Sequence, residues 1–154
     1  MGYKLGTVDG KAVLIKENSY YDIATLSNGA ISSDSVEALK FQSKLSELFE
    51  SLDEKNATGN LSDVELGNPV PNSPNCYAVG LNYRKHAEES GMDIPEVPMI
   101  FTKHTSCFVG PKANVEMRSD YVDWEVELVA VIGKDGKNIP KENALDHVAG
   151  LCLS

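Results

Sequence analysis

The chain opens in short alternating runs of apolar and polar residues. Tyr3 to Val8 and Lys11 to Lys16 read as strands, and Asp9-Gly10 between them is a strong two-residue hairpin signal. Tyr20 to Ala24 adds a third short strand. The period then changes: Val36, Leu39, Leu45, Leu48, Phe49 and Leu52 recur at helical spacing and predict one apolar face from about residue 35 to 54. Asp34 stands before that run as its N-cap, with Glu37 three residues on as the second half of a capping box. Lys55 to Gly59 closes it with polar and glycine residues. From Gly67 to Asn75 three prolines interrupt any period. That stretch reads as an extended linker and divides the chain into a small α+β domain, residues 1–70, and a second, mostly β domain, residues 71–154.

The second part has its own pattern. Cys76 to Gly80 is a short strand ending on glycine, followed by a loop and a short helix over residues 81–91. Met99 to Lys103 is another strand. Asp123 to Gly133 reads as a longer one, bounded by a glycine. In a strand alternate side chains share a face, so Glu125 and Glu127 point one way, about 7 Å apart, and Val126 and Leu128 the other. Two carboxylates so placed repel each other. They suit either a solvated face or a bound cation that removes the repulsion. Asp135-Gly136 predicts a tight reversal over residues 133–137, and Pro140 a short helix reaching His147. On the helix after Gly80, His86 and Glu89 are three residues apart and face the same side. A carboxylate beside an imidazole can fix the ring for acid–base work, although a solvated helix with an idle histidine carries the same spacing.

Composition narrows the options. The 154 residues carry 14 Lys plus Arg against 23 Asp plus Glu, a net charge of −9, with no basic stripe. That disfavours nucleic acid and anionic membrane as partners. Cys76, Cys107 and Cys152 are distant from one another and odd in number, which predicts reduced thiols in a cytosolic protein and no zinc site. The N-terminus lacks the apolar core of a signal peptide, and no apolar run is long enough for a membrane helix.

The residues of the second part resemble one known family. Val79-Gly80-Leu81-Asn82-Tyr83-Arg84-Lys85-His86-Ala87-Glu88-Glu89, Ile100-Phe101-Thr102-Lys103, Ser106, Gly110-Pro111, Val122-Asp123-Trp124-Glu125-Val126-Glu127-Leu128, Val131-Ile132-Gly133 and Ala144 to Gly150 follow the order and spacing of the fumarylacetoacetate hydrolase family, above all its smaller prokaryotic-type members. The resemblance covers residues 76–154. It implies a mixed β-roll or sandwich, here partial, and an enzyme that hydrolyses, isomerises or decarboxylates 2-oxo or 1,3-dicarbonyl acids. It further implies a homodimer acting on a small molecule.

The resemblance also assigns roles. Glu125 and Glu127 match two metal-ligating glutamates, and an all-oxygen set suits Mg2+ or Mn2+, with Ca2+ as a further fit. His86 and Glu89 match the His–Glu pair that activates water or moves a proton, and Lys103 a lysine facing developing oxyanion charge. Asn82, Tyr83 and Arg84 fall in the loop that holds the substrate carboxylate. Two features depart from the pattern. His104-Thr105 stands where many relatives have proline after the lysine. The family's third ligand, an aspartate, would fall just beyond Ser154, so the chain is expected to be a fragment of a protein roughly twice as long, inactive and a weak metal binder by itself. The alternative reading is a non-catalytic remnant serving as an interaction module.

Overall fold

The computed structural model describes residues 2–154. The alternating opening becomes β1 (Leu5–Val8), β2 (Lys11–Lys16) and β3 (Ser19–Asp22), each antiparallel to the next. Asp9 and Gly10 both take positive φ, 49° and 75°, the mirror-image turn whose twist matches that of the two strands it joins. A one-turn helix, α1 (Ile23–Leu26), is capped by the Asp22 carboxylate, which accepts from the Thr25 amide at 2.7 Å.

The predicted helix over residues 35–54 is divided. It forms as α2 (Ser35–Ala38), a 3-10 turn over Leu39–Phe41, and α3 (Gln42–Glu50). Phe41 leaves the helical region at φ −111°, ψ 39°, which breaks the run. The gap between Leu39 and Leu45 in the apolar repeat falls on this break. Asp34 is the N-cap, its carboxylate accepting from the Glu37 amide at 3.0 Å. The other half of the capping box is absent: the Asp34 amide donates to the Ser32 hydroxyl, and Glu37 is held by Lys40. Two-residue strands β4 (Gly59–Asn60) and β5 (Leu66–Gly67) then close the edges of a five-stranded sheet in the order β4-β3-β2-β1-β5.

The core lies against this sheet. Ala12, Leu14, Tyr21, Ile23, Ile31, Ala38, Leu45 and Leu52 form one buried cluster between the central strands and the helices. Lys16 bonds the Leu52 carbonyl at 2.9 Å with its ammonium 5.9 Å from the centre of the Phe49 ring, so its aliphatic stem closes one side of the cluster.

Beyond residue 75 the chain makes separate ribbons. β6 (Tyr77–Gly80) pairs with β7 (Met99–Thr102), and α4 (Arg84–Glu89) lies between them in sequence. β8 (Leu128–Ile132) pairs with β9 (Val148–Leu153). The strand expected over residues 123–133 is therefore shorter. A strand needs a partner, and the ladder with β9 ends at the Glu127–Ser154 pair, whose amides and carbonyls exchange two bonds of 3.0 Å. Pro140 caps a helical segment over Lys141–His147 as expected, of 3-10 type. Residues 133–139 do not form the tight Asp-Gly reversal. They bend at Lys134, Lys137 and Asn138, and it is Asn138 that takes the positive φ, 55°. His147 Nδ1 donates to the Lys134 carbonyl at 2.9 Å across this loop. The Gln42 amide reaches the Gly133 carbonyl at 3.2 Å and ties α3 to the end of β8.

Candidate functional site

The loop that follows β6 sets up the first group of candidates. Gly80 sits where a Cβ would come within 3.1 Å of Met99 Cε, so the ribbon is tight at its end. Leu81 then takes φ 50°, a left-handed conformation that costs a bulky residue roughly 1–2 kcal/mol and turns the chain sharply. Asn82 and Tyr83 lead into α4, where Tyr83 is an extended N-cap with no side-chain bond to the helix. The helix closes on Gly91, at φ 63°, with Met92 N donating to the Ala87 carbonyl and Gly91 N to that of Glu88, a Schellman ending. Ala87 is fully buried and anchors α4, while His86 and Glu89 project from it into solvent. Among the described residues no hydrogen bond or ion pair joins the two.

Lys103 stands at the far end of the same ribbon. Its amide bonds the Cys76 carbonyl at 2.9 Å, which extends the β6–β7 ladder by one step. Leu81 leaves from the opposite end, past the Gly80–Met99 pair. Five residue steps, from Cys76 to Leu81, separate them, roughly 16 Å along the backbone. The ladder therefore holds the lysine away from the root of the Asn82–Arg84 loop.

The carboxylates lie on the approach to β8. Glu127 is half-buried and pairs with Ser154 through its backbone, while Glu125 is exposed. Asp123 turns its carboxylate back on the Trp124 amide at 2.8 Å. Oxygen donors of this kind fit a hard divalent cation. Among the described residues, however, no three His, Cys, Asp or Glu side chains converge as a metal-holding group. Among the described residues the His147 ring is the only imidazole with a hydrogen bond, so the His86 ring carries no bond that holds the fold. A cleft of about 380 Å³, lined by Lys16, Asn18, Tyr21, Leu52, Glu54 and Asn60 among others, contains none of the candidate residues. The strained backbone of Leu81 is a site feature that spacing alone could not reveal.

Comparison with known proteins gives this arrangement its class. The family model of the fumarylacetoacetate (FAA) hydrolase C-terminal domain matches residues 75–154, just over half of the chain. The chain belongs to that family. Oxaloacetate tautomerase fahd2, mitochondrial, of Xenopus laevis is 41% identical over 95 residues, 60% of this chain and 30% of that protein. Oxaloacetate tautomerase FAHD2A, mitochondrial, of Homo sapiens is 42% identical over the same length and shares. Among solved structures, an HpcE-type protein of Mycobacterium smegmatis superposes with a TM-score of 0.84 at 35% identity, over 97% of this chain and 53% of that one. The fumarylacetoacetate hydrolase of Exiguobacterium antarcticum gives 0.69 at 26% identity, over 99% and 54%. The chain thus spans about a third of the curated relatives' length and about half of each solved neighbour. The mostly β architecture is part of the fold these neighbours share.

Proposed function

We propose that this chain carries the front half of an enzyme that shifts protons or breaks carbon–carbon bonds in 2-oxo or 1,3-dicarbonyl acids, with keto–enol tautomerisation of oxaloacetate the preferred substrate reading. The observation that supports it is the family match over residues 75–154, which takes in every candidate residue, together with the names of the most similar relatives. His86 is the proton carrier: in a tautomerisation it takes a proton from the carbon between the two carbonyl groups, and one returns to the enol oxygen. Glu89, three residues on along the same face of α4, is the residue that would orient the imidazole once substrate is bound. Lys103 faces the oxygen that gains charge. Arg84, with Asn82 and Tyr83, binds a substrate carboxylate. Glu125 and Glu127 would supply two ligands to Mg2+ or Mn2+. Held there, such a cation would supply Lewis-acid stabilisation of negative charge developing on a substrate oxygen. Hydrolysis is the second reading, favoured by the hydrolase names of bacterial relatives such as one from Burkholderia cenocepacia, 46% identical over 93 residues.

The same reading takes residues 1–70 and 71–154 as two domains and the whole enzyme as a homodimer. The free cysteines support a reducing compartment, for which the cytosol is proposed, although several relatives are mitochondrial by name. Among the described residues no helix is long and apolar enough to cross a membrane.

The test is an assay of the chain fused to the remaining half of the Mycobacterium smegmatis protein. Loss of enol absorbance from oxaloacetate is followed in Mg2+, alongside acylpyruvate cleavage. The fusion should turn over one of the two. His86→Ala should lower kcat on the order of 10²–10⁴-fold with little change in the metal concentration needed, whereas Glu125→Ala should raise that concentration. A folded, metal-loaded fusion that acts on neither substrate overturns the reading, and unchanged kcat in His86→Ala overturns the role of the histidine.

A further inference from the structure

Gln42 is the first residue of α3, set off from the preceding turn by the non-helical Phe41. Its mounting is firm. Leu45, three residues on, is fully buried in the core, and the Ser46 hydroxyl donates to the Gln42 carbonyl at 3.1 Å. The half-buried Gln42 side chain reaches out of the first region and donates its amide to the Gly133 carbonyl at 3.2 Å. Gly133 is itself the last rung of the β8–β9 ladder, its amide donating to the His147 carbonyl at 2.9 Å. A Cβ at this position would lie 2.5 Å from both Ala149 Cβ and Gln42 Nε2, so the absent side chain is what lets α3 and β9 meet here. A pair of opposite charges flanks the bond. Glu37 holds the Lys40 ammonium, and Asp135, two residues beyond Gly133, attracts it from across the boundary.

The bond from Gln42 stands alone. Among the described residues no other hydrogen bond, strand pairing or ion pair crosses between residues 1–70 and residues 71–154. Where Glu65 and Leu66 face Gly110 to Ala113, the two parts line a cleft of about 280 Å³. The linker, by contrast, is rooted within the first region: the buried Thr7 hydroxyl donates to the Asn68 carbonyl at 2.8 Å, and from there the chain runs to β6. Both ribbons are thus referred to one body, β6–β7 through the linker and β8–β9 through Gln42. A two-stranded ribbon by itself is marginal in water, so its anchor decides where it sits. The ladder between Gly133 and Glu127 is hydrogen-bonded along its length, and a displacement of one end is carried to the other. A shift of about 1 Å there is several times the ~0.2 Å latitude of a metal–ligand distance.

We infer that Gln42 is a positioning residue: its bond to Gly133 fixes β8, and with it Glu125 and Glu127, on the first region, which acts as the mount for the candidate carboxylates. The consequence for a cation rests on the proposed reading of those two glutamates as ligands; the placement of β8 does not.

Variants of the 154-residue chain separate the donor from the shape of the side chain. Gln42→Met keeps the length and removes the donor, while Gln42→Arg keeps a donor beside Asp135. Backbone amide relaxation by NMR should report one correlation time for β1–β3 and β8–β9 in the unaltered chain and in Gln42→Arg. In Gln42→Met the value for β8–β9 should fall while that for β1–β3 stays the same. Titration with Mn2+, followed by paramagnetic broadening of the Glu127 and Leu128 amides, should need about tenfold more metal in Gln42→Met, as when a group that orients a ligand is removed, and Gln42→Arg should restore it. Unchanged correlation times in Gln42→Met overturn the inference. So does a loosening of β1–β3 together with β8–β9, because Gln42 would then serve only to hold α3. A fall in Gln42→Arg equal to that in Gln42→Met overturns it as well, since the donor would not be what matters. Glu127→Gln keeps the two readings apart: if it leaves the broadening unaltered, the metal reading fails by itself, and the correlation times decide the role of Gln42.

Discussion

Two antiparallel pairs in this molecule, β1–β2 and β8–β9, have similar strands and opposite surroundings. β2 reads Lys-Ala-Val-Leu-Ile-Lys and β8 reads Leu-Val-Ala-Val-Ile, both rich in β-branched and aliphatic residues. In β2, Ala12, Val13 and Leu14 are at most 1% exposed, whereas β8 leaves Leu128 and Ile132 open to solvent. The difference comes from what lies across each pair. β2 is the central strand of five, and α1 to α3 bring Ile23, Ala38 and Leu45 down onto it. β8 has one partner strand. Strand sequence therefore sets the capacity to be buried, and neighbours decide whether that capacity is used. Fully burying one leucine contributes about 1.5–3 kcal/mol, so the first region holds a core that the second lacks among the described residues.

The largest expected effect tests this contrast directly. Leu14→Ala deletes a side chain with no exposed surface from the middle of the cluster and should cost about 2–5 kcal/mol in urea unfolding. Leu128→Ala removes the same atoms from an exposed strand and should change the same transition by less than about 0.5 kcal/mol. Equal effects at the two positions would mean that β8 is covered after all, or that the cluster around Leu14 is not the core.

This asymmetry also explains which features were legible in the sequence. The β1–β2 hairpin was, because Asp9-Gly10 encodes its turn locally. The N-cap at Asp34 and the helical segment after Pro140 were readable for the same reason, whereas the Glu37 half of the expected capping box does not form. The division of the helix at Phe41 was missed because the repeat was read through the Leu39–Leu45 gap. The end of β8 at Leu128 was missed because a strand's length is set by its partner, here β9, from twenty or more residues away. The candidate site follows the same rule. His86 and Glu89 were correctly placed on one helix by local spacing. Any approach of that helix to Glu125 and Glu127 would depend on packing between ribbons, and periodicity carries no information about it.

Helix capping offers a smaller version of the comparison. Asp34 caps α2 over the core, while Tyr83 begins α4 with no side-chain bond. Asp34→Ala should lower the stability of the first region by about 1 kcal/mol. Tyr83→Ala should leave global stability unchanged, since no cap is lost. Thermal unfolding of both variants measures the difference. A Tyr83→Ala variant as destabilised as Asp34→Ala would show that α4 is more firmly integrated than its single buried residue, Ala87, indicates.

The smallest expected effect is a gain, and it concerns a flaw in the better-built region. Tyr3 packs against the core, and its hydroxyl is buried with no hydrogen-bond partner among the described residues. A buried hydroxyl without a partner costs about 1 kcal/mol or more, so Tyr3→Phe should stabilise the fold by up to about that amount. The same burial raises the pKa of the phenol above its ordinary value of 10.0, because the low-dielectric surroundings penalise the phenolate. The unfolded chain then loses its proton first. The contribution of neutral Tyr3 is fully present below the unfolded pKa and is lost as pH rises from about 10 through the raised folded value. Unfolding measured in urea between pH 8 and 11 should show an alkaline decline that Tyr3→Phe makes shallower, with the two proteins differing least at the neutral end. A parallel decline in both would mean that the hydroxyl is solvated and that the core reaches only as far as Leu5.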